Sequence, residues 1–301
     1  MDGILIIDKP AGITSHDVVS RVRRILKTKR VGHTGTLDPF ATGVMVIVVG
    51  QATRLAQFLD KDDKEYDAVV QFGFETDTGD RTGSPKTQVP RPNSAGVDVA
   101  DVIKVLSEFQ GEIEQVPPMY SAKKIDGKKL YEHARKGETL HREPVRVTIY
   151  DLSVSEPPAV AGGLTHNTVT LRILCSAGTY IRTLAEDIGR KIGVGAHLAE
   201  LRRTRAGKFG IEQGLTLEQL ADHPDPAEAL LPMSEAVSHL SAFALEEDRV
   251  ARTRNGMSTR IFDSAFLPGQ ALRMVSRSGD LVAIGFYNEA ENTVQPKVVL
   301  L

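Results

Sequence analysis

The sequence contains one cysteine, Cys175, no tryptophan, and only 5% aromatic residues among its 301 positions. A single thiol excludes an intramolecular disulfide and a cysteine-built zinc cluster. No run of 18 apolar residues occurs, and the first residues lack the pattern of a secretory signal, so a cytoplasmic setting is expected. An excess of one charge is missing too: 37 Lys and Arg stand against 39 Asp and Glu, for a net charge of −2. That balance excludes a protein that is basic all over, so any polyanion must be met by local patches. No H-x-x-x-H pair, Cys/His cluster or Gly-Lys-Ser/Thr phosphate loop is present, which leaves metal hydrolysis and nucleotide hydrolysis without their usual ligands. Repeats and low-complexity tracts are absent as well. What remains is an ordinary globular composition, 41% hydrophobic and 25% charged, on a chain long enough for one large or two ordinary cores.

The most informative stretch runs from Arg30 to Gly43 (RVGHTGTLDPFATG), a Gly-rich loop that carries one carboxylate, Asp38. It is followed by Val44-Met45-Val46-Ile47-Val48-Val49, a largely β-branched run that reads as a buried strand. Gly32, Gly35 and Gly43 permit positive φ and close approach of a ligand, and Pro39 biases the preceding residues away from helix. On the residues alone, Asp38 either closes a turn ahead of Pro39 or is held at a sheet mouth for chemistry.

Upstream, Gly3 to Ile7 reads as a strand ending at Asp8-Lys9-Pro10. A helix follows, with Thr14 and Asp17 in capping-box spacing and a cationic far end at Arg21, Arg23, Arg24, Lys27, Lys29 and Arg30. Downstream, the pattern gives a short helix over 52–59, a strand over 66–72 and a Gly/Pro-rich loop over 79–95. A helix near 98–109 comes next, then a short helix near 128–135, strands over 145–154 and 169–175, and a helix starting at Gly178-Thr179. Residues 111–145 carry Lys123, Lys124, Lys128, Lys129, Arg135 and Lys136 with Tyr120 and Tyr131 interleaved. That is either a backbone-gripping arm or a solvated basic hairpin. The run Arg202-Arg203-Thr204-Arg205, with Lys208 behind it, has no acid in its window and reads as a second basic patch. A Pro-rich, acidic segment over 224–232 suggests a linker between residues 1–232 and a β-rich unit of 233–301. The expected class is α+β, a mixed and largely antiparallel sheet flanked by helices.

Four motifs in order carry a family resemblance: Asp8-Lys9-Pro10-Ala11-Gly12, His33-Thr34-Gly35-Thr36-Leu37-Asp38-Pro39, Pro117-Pro118-Met119-Tyr120-Ser121-Ala122-Lys123, and Cys175-Ser176-Ala177-Gly178-Thr179-Tyr180-Ile181-Arg182-Thr183. Over roughly residues 1 to 210 the chain resembles the bacterial tRNA pseudouridine-55 synthases of the TruB type. The resemblance implies the pseudouridine synthase fold, and the last segment resembles the position and layout of a PUA domain, a small RNA-binding module. It implies a flipped-out uridine in the T-loop of tRNA as substrate, with Asp38 as nucleophile. Arg182 would be the cation that keeps Asp38 ionised, and Tyr66, at the family's position, the aromatic against the base; Tyr180, two residues before Arg182, is a second candidate for that contact. His33 would fill the vacated stack, Leu201 line the uracil pocket, Lys9 belong to the first motif, and Lys123, Lys128 and Lys129 grip the RNA through an insertion over 111–145. It further implies a monomer that needs no obligatory protein partner, bound to the T-stem-loop of tRNA and to no membrane.

The residue chemistry is compatible with this on its own terms. One carboxylate without a second fits the two-acid glycosidase scheme poorly. It can still act as a covalent nucleophile or stabilise a sugar cation while the C1′–N1 bond breaks and the base rejoins through C5. Such an isomerisation consumes no redox agent or energy source, so neither cofactor nor metal is expected. Two other classes remain open on the sequence. A non-catalytic tRNA-binding protein would survive loss of Asp38, and an aspartyl-phosphate phosphotransferase would need a magnesium-binding acid pair that is not recognisable.

Overall fold

A computed structural model of the chain describes residues 1–86, 97–121, 123–125, 127–134, 136–155, 167–262 and 266–300. Most of the expected 79–95 loop, Ala122, Arg135 and the side chain of Lys129 lie outside the described residues.

The large sheet is built from β1 (Gly3–Lys9), β2 (Val31–Thr34), β3 (Thr42–Val49), β4 (Lys64–Phe72), β5 (Gly111–Gln115), β8 (Val145–Val154), β9 (Thr168–Cys175), β10 (Ala196–Ala206) and β11 (Phe209–Gly210), while β6 (Lys124–Ile125) and β7 (Lys128–Lys129) form a separate two-stranded hairpin. Its order is β1-β3-β10-β4-β9-β8-β5, with β2 on β3 and β11 on β10. Only the β3–β10 pair is parallel, so the sheet is mixed and largely antiparallel as expected.

The continuous apolar runs of β1 and β3 have a physical reason: both faces of these strands are buried. Leu5, Ile7, Met45, Ile47 and Val49 point to one side, against Val18, Val19 and Val22 of α1 (Ser15–Ile25). Ile4, Ile6, Val44, Val46 and Val48 point to the other. A strand covered on both faces loses the alternation that a half-exposed strand keeps. Helix α1 starts where the sequence places it, with the Thr14–Asp17 capping box formed in both directions. Across the sheet, α2 (Val99–Leu106) and α4 (Ile181–Ile192) cover β4, β8, β9 and β10 through Val102, Leu106, Leu184 and Ile188.

Several boundaries differ from the sequence reading. Residues 50–58 form a 3-10 helix. The helix of the basic arm, α3 (Leu130–Ala134), is shorter than expected, because Lys128 and Lys129 belong to the hairpin. Gly32 lies in β2 without positive φ, whereas Gly35 and Gly43 do have it, at 87° and 100°. The largest difference is β10: the basic run 202–205 is not an isolated patch but part of a central strand between β3 and β4.

After α5 (Leu217–Asp222) and α6 (Met233–Ala236), a second sheet takes the order β12-β14-β15-β16-β13, from β12 (Ser241–Ala244), β13 (Thr259–Arg260), β14 (Ala271–Val275), β15 (Leu281–Asn288) and β16 (Thr293–Val299). Helix α7 (Glu247–Arg254) packs beside it. The unit has its own core of Leu245, Leu272, Met274, Val282 and Tyr287. It also supplies Ile284, Val298 and Leu300 to the outer face of β1 and β3, where they meet Ile4, Val48 and Leu55. The expected boundary at 232/233 therefore falls inside a region that shares one core.

Candidate active site

Asp38 sits in the loop between β2 and β3, and three elements hold that loop from below. The end of β1 contributes Lys9, whose ammonium is fully enclosed and donates to the carbonyls of Ala41 at 2.6 Å, Pro10 at 3.0 Å and Pro39 at 3.3 Å. The start of α1 contributes Ser15, whose hydroxyl accepts from the Leu37 N–H at 2.9 Å and donates to the Leu37 carbonyl at 3.0 Å. Strand β10 contributes Arg203, only 1% exposed, which donates to the carbonyls of Val44 at 2.7 Å and Gly35 at 3.0 Å. Gly43 is needed where β3 starts: a Cβ there would lie 2.2 Å from the Arg203 carbonyl oxygen. The fold thus pins the Gly-rich loop at the carbonyls of Gly35, Leu37, Pro39 and Ala41.

Above the loop lies a cavity of about 280 Å³, walled by Asp38, Tyr66, Lys123, Tyr180, Arg182 and Leu201 among others. Its charged centre is the pair of Asp38 and Arg182. Arg182 Nε is 2.9 Å from Asp38 Oδ2, and Nη2 donates to Oδ1 at 3.1 Å. The guanidinium is 6% exposed while the carboxylate, 31% exposed, opens into the cavity. Burial pushes the Asp38 carboxyl above the ordinary carboxylate range, Arg182 pulls it back, and Asp80 adds a smaller push upward. Asp80 is itself buried and held by Thr78 Oγ1 and by the Thr82 N–H and hydroxyl.

Tyr66 stands on β4 directly opposite Arg203 of β10 and is 8% exposed. Burial raises its phenol pKa, with Arg203 opposing that rise. Tyr180 immediately precedes α4, and burial raises its phenol as well. Leu201, 6% exposed, closes the apolar side. Carboxylate, cation, two aromatics and an apolar wall make a pocket for a flat, polar ring with a neighbouring electrophilic carbon.

Of the residues singled out from sequence, Asp38, Tyr66, Tyr180, Arg182, Leu201 and Lys123 all face this cavity. Lys9 does not line it, because its amine is spent on the loop carbonyls beneath. His33 stands on β2 opposite Ile47, outside the cavity wall. Lys128 is exposed on the hairpin.

The basic run is corrected by its partners. Arg202 pairs with Asp8 at 2.8 Å, Arg205 with Glu65 at 3.5 Å, and Arg203 is buried. Sequence reasoning missed Ser15, Asp80 and Gln115 and placed Arg203 in a surface patch, although it is buried under the Asp38 loop. Among the described residues, no group of three His, Cys, Asp or Glu side chains is arranged to hold a metal ion, and no helix is long and apolar enough to cross a membrane.

Comparison with known proteins adds an independent line. The family model described as TruB family pseudouridylate synthase, N-terminal domain, matches residues 23–181, and the tRNA pseudouridylate synthase B C-terminal domain matches residues 182–238. The tRNA pseudouridine synthase B of Solibacter usitatus is 43% identical, with 95% of each chain covered. That of Bacillus subtilis is 39% identical, covering 100% of this chain and 98% of the other. Among solved structures, an H/ACA RNP bound to a substrate RNA containing 2′-deoxyuridine is similar at a TM-score of 0.75 with 27% identity, over 99% of this chain and 85% of that one. A Cbf5-Nop10-Gar1 complex gives 0.73 with 30% identity, over 99% and 83%.

Proposed function

The chain belongs to the TruB family of pseudouridylate synthases, and from that premise we propose that it converts the T-loop uridine at position 55 of tRNA to pseudouridine with Asp38 as the nucleophile. The class of reaction, uridine to pseudouridine in tRNA, follows from the family. The position and the residue roles are our reading. The observation that carries it is the two-point contact of Arg182 on Asp38 at the wall of a pocket of nucleobase size.

In this reading the target nucleotide leaves its stack, at a cost of a few kcal/mol, and enters the cavity. Tyr66 and Tyr180 meet the ring, and Leu201 excludes water from its far side. Asp38 Oδ attacks C1′, the C1′–N1 bond breaks, and the electron pair stays on the departing base. The base turns and its C5 re-forms the bond to C1′, releasing Asp38. The proton lost from C5 is replaced by one gained at N1, so nothing is oxidised or consumed. Arg182 favours the ionised form of Asp38, opposing the burial that raises its carboxyl.

The basic arm over 111–145 is the proposed grip on the RNA backbone, with Lys123 at the cavity and Lys128 exposed beyond it. The β-rich unit at the C-terminus is proposed as a PUA-like RNA contact. The enzyme is proposed to act as a monomer in the cytoplasm without a protein partner. Incubation with unmodified tRNA followed by mapping of pseudouridine tests the reading. A single modified position in the T-loop supports it, and modification elsewhere or none overturns it.

A further inference from the structure

Gln115, the last residue of β5, is 1% exposed and uses its side-chain amide twice on the backbone of Tyr180. The Tyr180 N–H donates to Gln115 Oε1 at 2.9 Å, and Gln115 Nε2 donates to the Tyr180 carbonyl at 3.3 Å. Tyr180 is the N-cap of α4, and its own side chain accepts nothing from the helix. In a capping box, the N-cap N–H is met by a Glu or Gln at the third helical position. That position here is Thr183, and Gln115 supplies the missing acceptor from a strand 65 residues away in sequence.

The segment that follows Gln115 returns to the same place. The Tyr120 carbonyl accepts from Arg182 Nη2 at 2.7 Å, and the Pro117 carbonyl accepts from Arg142 at 3.0 Å. The root of the basic arm is therefore fastened at one end to the residue that caps α4 and at the other to Arg182 itself. Arg182 lies in the first turn of α4, so its reach to Asp38 depends on where that turn begins.

We propose that Gln115 is a positioning residue for the isomerisation, fixing the start of α4 so that the Arg182 fork meets Asp38. The proposal rests on the reading of Asp38 as nucleophile. Without the Gln115 amide, the Tyr180 N–H loses its acceptor and the Tyr180 carbonyl keeps only the helical bond from Leu184, so the first turn of α4 is less firmly fixed. Asp38 is also faced by Asp80, from the loop after β4, and by Lys9, from β1. Both are held by bonds that do not involve Gln115. A Gln115 variant thus changes the Arg182 contribution and leaves the other two.

The test uses full-length Gln115→Ala, Gln115→Met, which fills the volume without the hydrogen bonds, and Gln115→Glu, which keeps an acceptor for the Tyr180 N–H. Turnover of unmodified tRNA is followed as a function of pH, with tRNA affinity by filter binding and folding by thermal melts. In the Ala and Met variants kcat is expected to fall by about 10- to 100-fold, as for other displacements of about an ångström. Affinity for tRNA, which rests on phosphate contacts, should stay within about threefold. The acid limb of the kcat profile should move to higher pH, because a displaced Arg182 offsets the burial of Asp38 less. Gln115→Glu should recover part of the kcat lost in Gln115→Met. An unmoved acid limb in a folded variant overturns the proposal, since a purely structural role lowers the melting temperature without touching that limb. So does failure of all three variants to fold. Retained turnover in Asp38→Asn overturns the nucleophile reading instead, and the two failures are thereby separated.

Discussion

Arg182 meets Asp38 along an edge, with Nε 2.9 Å from Oδ2 and Nη2 3.1 Å from Oδ1, and spends its remaining reach on the carbonyls of Thr78 at 2.9 Å and Tyr120 at 2.7 Å. A planar fork is required for four acceptors so arranged, and a point charge cannot serve them together. Replacing Arg182 by Lys should therefore lower kcat by about 100-fold while affinity for tRNA changes far less. The acid limb of activity should also move to higher pH, since a Lys ammonium keeps the charge but not the two-point contact and so offsets the burial of the Asp38 carboxyl less fully. Single-turnover rates across a pH series check both effects. A Lys variant with wild-type rate would contradict the geometric argument.

Lys9 gives a prediction about stability. Its amine is enclosed, and burial lowers its pKa to about 8 from the ordinary 10.5. Removing it in Lys9→Met takes the donor from the Ala41 and Pro10 carbonyls and leaves the Pro39 carbonyl with the Gly12 N–H alone, which should cost about 1–3 kcal/mol of stability and some activity as the Asp38 loop relaxes. The sign with pH is definite. Between about pH 8 and 10.5 the unfolded chain holds the Lys9 proton and the native chain has released it. Stability contributed at Lys9 therefore rises with pH through that window. Urea melts of both proteins should show the wild-type advantage growing toward high pH; a shrinking advantage would contradict the burial argument.

The loop with Asp38 and the strand after it were legible in sequence because their signals are local: glycines that need positive φ, a proline, and a run of β-branched residues. The cation that serves Asp38 is 144 positions away, and only the order of motifs located it. The run at 202–205 misled for the same reason. Its acids, Asp8 and Glu65, are 194 and 140 positions distant, so a window without carboxylates said nothing about pairing. Gln115 and Ser15 gave no signal at all, since a buried amide or hydroxyl that bonds a distant backbone looks like any other polar residue. The sequence likewise marked β1 and β3 as apolar on both faces without revealing that the C-terminal unit covers one of them.

That cover determines what truncation should do. Deleting residues 233–301 would remove Ile284, Val298 and Leu300 from Ile4, Val48 and Leu55, along with the bond from Arg54 to the Val299 carbonyl. At about 25 cal/mol per Å² of apolar surface, uncovering several such side chains amounts to several kcal/mol. The truncated chain should melt at lower temperature and aggregate. A monodisperse truncation with an unchanged melting temperature would contradict the shared core.

The basic arm is tested by salt. Lys128 is exposed on its hairpin and Lys123 faces the cavity, whereas Arg202 and Arg205 already hold carboxylates. Replacing Lys123 and Lys128 by Ala should flatten the log–log salt dependence of tRNA binding by about 1–2 units, taking roughly 0.7 to 0.9 per phosphate contact. Filter binding across a salt series measures this, and an unaltered slope would place the RNA grip elsewhere.

The role of Asp38 as nucleophile is read from tritium release from tRNA labelled at C5 of uridine, compared between wild type and Asp38→Asn at saturating enzyme. The exchange is nearly isosteric and leaves the phosphate-gripping surfaces intact, so binding should stay within several-fold of wild type. Release should vanish in the variant, because an amide cannot form the bond to C1′. Substantial release from a folded, tRNA-bound Asp38→Asn enzyme would contradict a nucleophilic Asp38.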